Sequence, residues 1–344
     1  MYAVLLEVND LSVTFNTPDG DVRAVQNVSF KLDEGRTLGI VGESGSGKSV
    51  STQAIVGLLR GADITGQSLF DGADLLTLPS SRLRALRGAS IGMVFQDPLS
   101  SLHPYYRVGW QIAEQIRAHE PVSKAAARKR AVELLRLVGI PQPDRRVDDF
   151  PHQFSGGMRQ RAMIAMAMSL NPKLLIADEP TTALDVTVQA QVLEVMTKLQ
   201  EEFGTAIIMI THDLGVIADV ADEVCVMYAG RIVESANLRD TFYAQHHPYT
   251  AGLLRSIPST TTAGQRLQSI SGQPPSLLNL PRGCSFAPRC QHVMDVCRQE
   301  RPVLREIRGN RSHLSACWLP TDSIRPEDPP APVEVAGTNA GAQS

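Results

Sequence analysis

Long apolar runs are missing from this chain of 344 residues. The longest, such as LLIA and IIMI, have strand length, far short of the ~18 apolar residues that a membrane-crossing helix needs. Any work at a membrane must therefore pass through a partner. Excess positive charge is missing too. The 33 Lys and Arg face 36 Asp and Glu, for a net charge of −3 with no basic run, which removes the electrostatic case for nucleic-acid binding. The opening MYAVLLEVNDLSV has no basic n-region, and Glu7 and Asp10 interrupt its apolar stretch, so it reads as a first strand and not as an export signal. Cysteine is scarce, with five residues. Without an export signal they point to a reducing compartment, where thiols serve as core residues, nucleophiles or metal ligands rather than as disulfides. Four of the five nevertheless crowd between Cys284 and Cys317, and no uniform scatter would place them so.

Core-forming material is present in ordinary amount. Hydrophobic residues make up 43% of the chain, enough for one large domain with an appendage or for two domains. Short β-branched runs alternate with helical patterns: TLGIVG before a helix from Lys48, SIGMVFQ, then LLIADEP, a helix from about Thr187, and AIIMITHD. That alternation predicts an α/β fold with a mainly parallel sheet, its strands buried on both faces. Residues of about 97–170 read as a helical insertion, KAAARKRAVELLRLVGI being its clearest amphipathic piece. Beyond Ser235 the composition shifts to Pro, Ser and Thr. The chain thus divides into a core of residues 1–235, an extension of residues 236–320 with the four cysteines, and a disordered tail of residues 321–344. No internal repeat is visible.

Three stretches carry chemistry. GESGSGKS, Gly42, Glu43, Ser44, Gly45, Ser46, Gly47, Lys48 and Ser49, matches G-x-x-x-x-G-K-S/T directly between a buried strand and a helix. Its glycines let backbone N–H groups turn in around phosphate oxygens, Lys48 offsets the β/γ-phosphate charge, and Ser49 offers a hydroxyl to Mg²⁺. LLIADE places Asp178 and Glu179 at the C-terminal end of a central strand, where open α/β sheets bind ligands. There Asp178 would hold Mg²⁺ through water and Glu179 would polarise an attacking water. FSGGMRQR opens a helix with Ser155, Gly156 and Gly157, a second anion-binding helix start. Taken alone it is as well read as an N-cap. In a chain that already has a phosphate loop, it suggests service to a nucleotide bound mainly by another subunit.

Together these residues resemble the ATP-binding subunit of an ABC transporter. FSGGM stands where the family signature LSGGQ sits, about twenty residues before LLIADEP. Gln96 in FQDP resembles the Q-loop glutamine, Ala183-Leu184-Asp185 the D-loop, and His212 in THD the switch histidine that contacts the γ-phosphate; Phe15 stands where an adenine-stacking aromatic is expected. Met158 departs from the signature, keeping the backbone donors while losing a Gln side chain. The resemblance implies a P-loop NTPase core of the RecA-like kind, an ABC helical subdomain and a small cysteine-containing extension. It implies catalytic roles for Glu179, His212 and Gln96, a Mg²⁺ site at Ser49, Gln96 and Asp178, and ATP contacts from residues 42–49, Phe15, Ser155 to Gly157 and Asp185.

FSGGMRQRAMIAMAM and HPYTAGLLRSIP narrow the resemblance to the D-type ATPase of dipeptide and oligopeptide importers. It then implies a head-to-tail dimer with a second ATPase, often an F-type paralogue, two membrane permease subunits, an extracytoplasmic binding protein, and a peripheral position on the cytoplasmic face of the inner membrane. Nickel and other small-solute importers share the branch. A soluble ABC-type ATPase acting on nucleic acid or ribosomes, or a purely structural or metal-binding protein, fits the single ATPase half and slight acidity less well.

Cys284, Cys290, Cys297 and Cys317 are spaced too loosely for the paired thiols of structural zinc, although soft thiolates select Zn or Fe–S. The resemblance implies a 4Fe–4S cluster on these four, with zinc or free thiols as alternatives. Cys225 in EVCVMY reads as a buried core cysteine. With the phosphate loop expected in a separate core, ATP binding at Lys48 is expected to be indifferent to the cysteines.

Overall fold

The computed structural model describes residues 3–97, 101–182, 184–257 and 270–321. The proposed tail beyond residue 321 and Ala183 of the D-loop lie outside the described residues. Two long strands, β1 (Val4–Thr17) and β2 (Gly20–Asp33), pair antiparallel and, with β4 (Asp63–Phe70) and the short β5 (Ala73–Asp74), make a four-stranded sheet in the order β2-β1-β4-β5. The second sheet is larger and holds the site. It contains β3 (Thr37–Val41), β6 (Ile91–Val94), β7 (Leu174–Asp178), β8 (Ala206–Thr211), β9 (Glu223–Tyr228), β10 (Arg231–Asn237), β11 (Arg305–Ile307) and β12 (Asn310–Ser315) in the order β11-β12-β10-β9-β3-β8-β7-β6.

The five strands from β9 to β6 in that order run parallel, as the alternation of strand and helix predicts. Successive side chains of a strand point to opposite faces, and both faces here are covered. Leu175 and Ala177 of β7 join one apolar cluster, with Ile207 and Met209 of β8 and the helical insertion. Leu174 and Ile176, with Ile208 and Ile210, join the other, against the antiparallel sheet and the helix Lys48–Ile55. A strand buried on both sides has no use for alternating polarity, so LLIA and IIMI read as continuous apolar runs. Each such Leu or Ile contributes about 1.5–3 kcal/mol by leaving water.

The insertion forms helices Val108–His119, Lys124–Leu137, Pro143–Arg146 and Gly156–Ala167. Among the described residues no helix is long and apolar enough to cross a membrane.

The extension does not keep a core of its own, contrary to the reading of its sequence. Strand β12 pairs with β10, Glu234 opposite Ser315 and Ser235 opposite Leu314, so β12 and β11 continue the main sheet. Tyr249, Leu253 and Phe286 belong to the same apolar cluster as Val41 and Val226. Fully buried Glu234 fastens the pieces together: it accepts N–H bonds from His246 (2.6 Å) and His247 (3.1 Å) and from the His313 ring Nε2 (2.8 Å).

Candidate functional site

The phosphate loop leaves β3 and enters the helix Lys48–Ile55. Two glycines are sterically required there. Gly42 has φ +155° and Gly47 φ +100°, and a Cβ on either would come within 2.2 Å of Met227 O or 2.4 Å of Ala24 O. Lys48 is buried, its ammonium donating to the carbonyls of Gly42 (2.7 Å) and Glu43 (3.0 Å) and approaching Ser46 Oγ at 3.5 Å. Burial lowers its pKa, and the carboxylates of Glu179, Asp178 and Glu43 oppose that shift.

Ser49 Oγ donates to Asp178 Oδ1 at 2.8 Å, which joins the loop to the end of β7. Burial raises the Asp178 pKa, against the Ser49 hydrogen bond that lowers it. A buried carboxylate beside a hydroxyl is a donor set suited to Mg²⁺.

Glu179 follows at φ +47°, a left-handed backbone that a non-glycine residue adopts at some cost. Its N–H donates to Ile210 O at 2.9 Å, holding the turn against β8. Its carboxylate gathers three side chains: Gln96 Nε2 at 2.9 Å, Thr182 Oγ1 at 2.8 Å and His212 Nδ1 at 3.3 Å. Gln96 and His212 come from the ends of β6 and β8, so the C-terminal edges of three neighbouring parallel strands converge on one carboxylate. Thr182 is the residue that sequence reasoning missed. The TT pair after DEP carried a faint signal, since a hydroxyl three residues after an acidic turn reaches back to it.

The other expected residues do not join this group. Ser155 caps the helix Gly156–Ala167, its Oγ accepting from Met158 N–H at 3.3 Å. Asp185 caps the helix Val186–Phe203, accepting from Val188 N–H at 2.9 Å. These two helix starts lie side by side, for a Cβ on Gly157 would come within 2.4 Å of Val188 Cγ1. Phe15 sits on β1 opposite Val22, part-buried against the second apolar cluster, the bland place for an early aromatic. Gly45, Ser44 and Ser46 keep their places in the loop, whereas the Glu43 side chain turns to the extension and pairs with Arg289.

The four clustered cysteines line one narrow cavity, with His247, His292, Phe286 and Trp318 among its other walls. Cys284 N–H donates to Cys297 O at 2.8 Å, and His292 N–H approaches Cys290 Sγ at 3.4 Å. Burial raises the pKa of Cys284 and Cys290 and pushes Cys317 up to about 12. Among the described residues, however, no three His, Cys, Asp or Glu side chains are arranged to hold a metal ion. The expected cluster thus has its thiols on one cavity but lacks ligand geometry. Cys225 is buried in β9, as read.

Residues 25–182 match the ABC transporter family, and residues 233–297 match the oligopeptide/dipeptide transporter C-terminal region. The chain is 52% identical over 322 residues to the oligopeptide transport ATP-binding protein OppD of Salmonella typhimurium, covering 93% of this chain and 95% of that one. It is 51% identical over 318 residues to the dipeptide transport ATP-binding protein DppD of Bacillus subtilis, covering 92% and 94%. Among solved structures, the dimeric post-hydrolysis state of the ATP-binding cassette MJ0796 bound to ADP and Pi aligns at 28% identity with a TM-score of 0.62, over 68% of this chain and 99% of that one. A phosphate loop, a carboxylate pair at the end of a central strand and a peptide-transporter extension on one sheet have a single family in common: the chain belongs to the ABC transporter ATP-binding proteins of the oligopeptide and dipeptide branch.

Proposed function

We propose that this chain is the ATP-hydrolysing subunit of a peptide importer. The observation that carries the reading is the convergence of Gln96, Thr182 and His212 on Glu179, beside the Ser49–Asp178 pair and buried Lys48. Lys48 would face the β- and γ-phosphates, and the backbone N–H groups of residues 44–49 would cradle them. Ser49, Asp178 and Gln96 would hold Mg²⁺, which neutralises phosphate charge. Glu179 would then take the proton of the attacking water, and His212 and Thr182 would keep its carboxylate aimed. Gln96 also donates to Glu179, so its turn to Mg²⁺ would require that bond to open.

Ser155, Gly156, Gly157 and Asp185 stand apart from Lys48's group as a set, and their exposed helix start suits the nucleotide of a second ATPase arranged head to tail. That second ATPase would be an F-type paralogue. Closure on ATP and reopening after hydrolysis would drive two permease subunits at the cytoplasmic face of the inner membrane, fed by an extracytoplasmic binding protein. Phe15 would stack on adenine.

The four thiols also support a finer reading, in which Cys284, Cys290, Cys297 and Cys317 hold a 4Fe–4S cluster. The donor chemistry fits: four thiols face one cavity whose walls carry no carboxylate. Such a cluster would order this part of the extension. The importer reading is tested by reconstitution with its permeases in vesicles. Peptide added with the binding protein should raise ATP turnover and be taken up, and ATP turnover indifferent to any peptide would refute it.

A further inference from the structure

Two arms of the C-terminal extension close on a single residue of the phosphate loop. The Glu43 N–H donates to Tyr249 Oη at 2.8 Å. Both Glu43 carboxylate oxygens accept from Arg289, Nη1 to Oε2 at 2.6 Å and Nη2 to Oε1 at 2.8 Å. This is the bidentate fork that fixes direction as well as distance.

The guanidinium is itself anchored. Its Nε donates to Ser271 O at 3.0 Å, Nη1 approaches Tyr228 Oη at 3.3 Å and Nη2 approaches Ile270 O at 3.3 Å. The rings of Tyr228 and Phe286 lie 5.8 and 5.9 Å from it. The Arg289 side chain is 4% exposed and that of Glu43 27%, so the guanidinium is shielded from solvent and the bridge is screened less than one between two surface side chains.

Glu43 matters because its carbonyl, with that of Gly42, holds the Lys48 ammonium. The clamp therefore fixes the peptide that places the cation meant for phosphate. Gly42, just before it, supplies no stiffness of its own, since its positive φ is open only to glycine.

We propose that Arg289, together with Tyr249, is a positioning residue for ATP, so that the extension sets the affinity of the phosphate loop through Glu43. The inference rests on reading residues 42–49 as the ATP loop. It reverses the expectation that nucleotide binding is indifferent to the cysteine lobe, because Cys290 follows Arg289 directly and lines the four-thiol cavity. Whatever holds or distorts that lobe reaches the loop through one guanidinium.

The test is the affinity of the full chain for a fluorescent ATP analogue, measured beside its melting temperature. Arg289→Gln should weaken binding about 10-fold, within the range of site-to-site couplings, and Glu43→Gln should do the same. The double variant should bind no more weakly than either single one, since both remove the same link. Arg289→Lys should recover part of the loss, keeping charge without the fork. Tyr249→Phe conserves the packing and removes only the hydroxyl that accepts from Glu43 N–H, so it should weaken binding while lowering the melting temperature by no more than about 4 °C. Unchanged affinity in Arg289→Gln and Tyr249→Phe, with or without lowered melting, would overturn the proposal and leave a structural strap. Additive losses in the double variant would also overturn it. If Lys48→Ala left affinity unchanged, the loop assignment itself would have failed, a result separable from the others.

Discussion

Glu234 offers a stability prediction whose size follows from its contacts. The side chain is fully buried and takes three donors: the His246 N–H and the His313 ring on Oε1, and the His247 N–H on Oε2. In Glu234→Gln the amide oxygen can keep the Oε1 pair, but the NH₂ then faces the His247 N–H. Two buried donors are left without acceptors, at about 1–3 kcal/mol each. Removing a buried carboxylate also recovers some desolvation cost. The loss wins, because two of the three donors are backbone groups at the start of the helix Pro248–Arg255 and cannot turn to water. The net is a destabilisation of about 3 kcal/mol, which for a chain of this size lowers the melting temperature by about 4 °C. The assay is thermal unfolding of the full chain, with exposed Glu202→Gln as a control expected to change nothing. A Glu234→Gln melting temperature within about 1 °C of wild type would refute the reasoning, and with it the claim that this carboxylate fastens the extension to the sheet.

Three further outcomes follow from the site. Lys48→Ala should abolish measurable nucleotide binding by the isolated chain, seen by fluorescence titration, because no other cation replaces the buried ammonium. Ser155→Arg should leave that binding nearly intact while blocking closure of the ATPase pair, seen as loss of ATP-dependent dimerisation; equal weakening by both changes would refute the head-to-tail arrangement. If the four thiols hold the proposed cluster, protein prepared without oxygen should be brown, with roughly four irons and four sulfides per chain, and Cys290→Ser should bleach it. Stoichiometric zinc without iron would leave a structural staple instead.

The parallel core was legible because its strands are buried on both faces, and LLIA and IIMI could be nothing but interior. The phosphate loop was legible because its glycines answer a local steric demand. The helix start at Ser155 followed from capping chemistry, whereas Asp185, expected only as a D-loop residue, proved to cap its helix. Thr182 was hidden because its partner depends on the strained turn at Glu179, which composition does not announce. Strands β11 and β12 were hidden because the short polar segments REI and NRSHLS gain their order from β10 and not from their own pattern. The Glu43–Arg289 pair joins residues far apart in sequence, and an Arg beside Cys290 pointed instead to the cysteine cluster as the charge it would offset. The separate core expected for the extension failed for the same reason: its apolar residues are few, and Tyr249 and Phe286 spend themselves on the main cluster.

The central claim is that Glu179 is the general base of an ATPase, held ready by Gln96, Thr182 and His212. Glu179→Gln keeps the shape and removes the base. In the assembled complex, measured by phosphate release under saturating ATP and Mg²⁺, turnover should fall at least ~10²-fold while ATP remains bound and the subunits stay closed. Wild-type turnover in a complex whose only competent site carries Glu179→Gln would contradict the account.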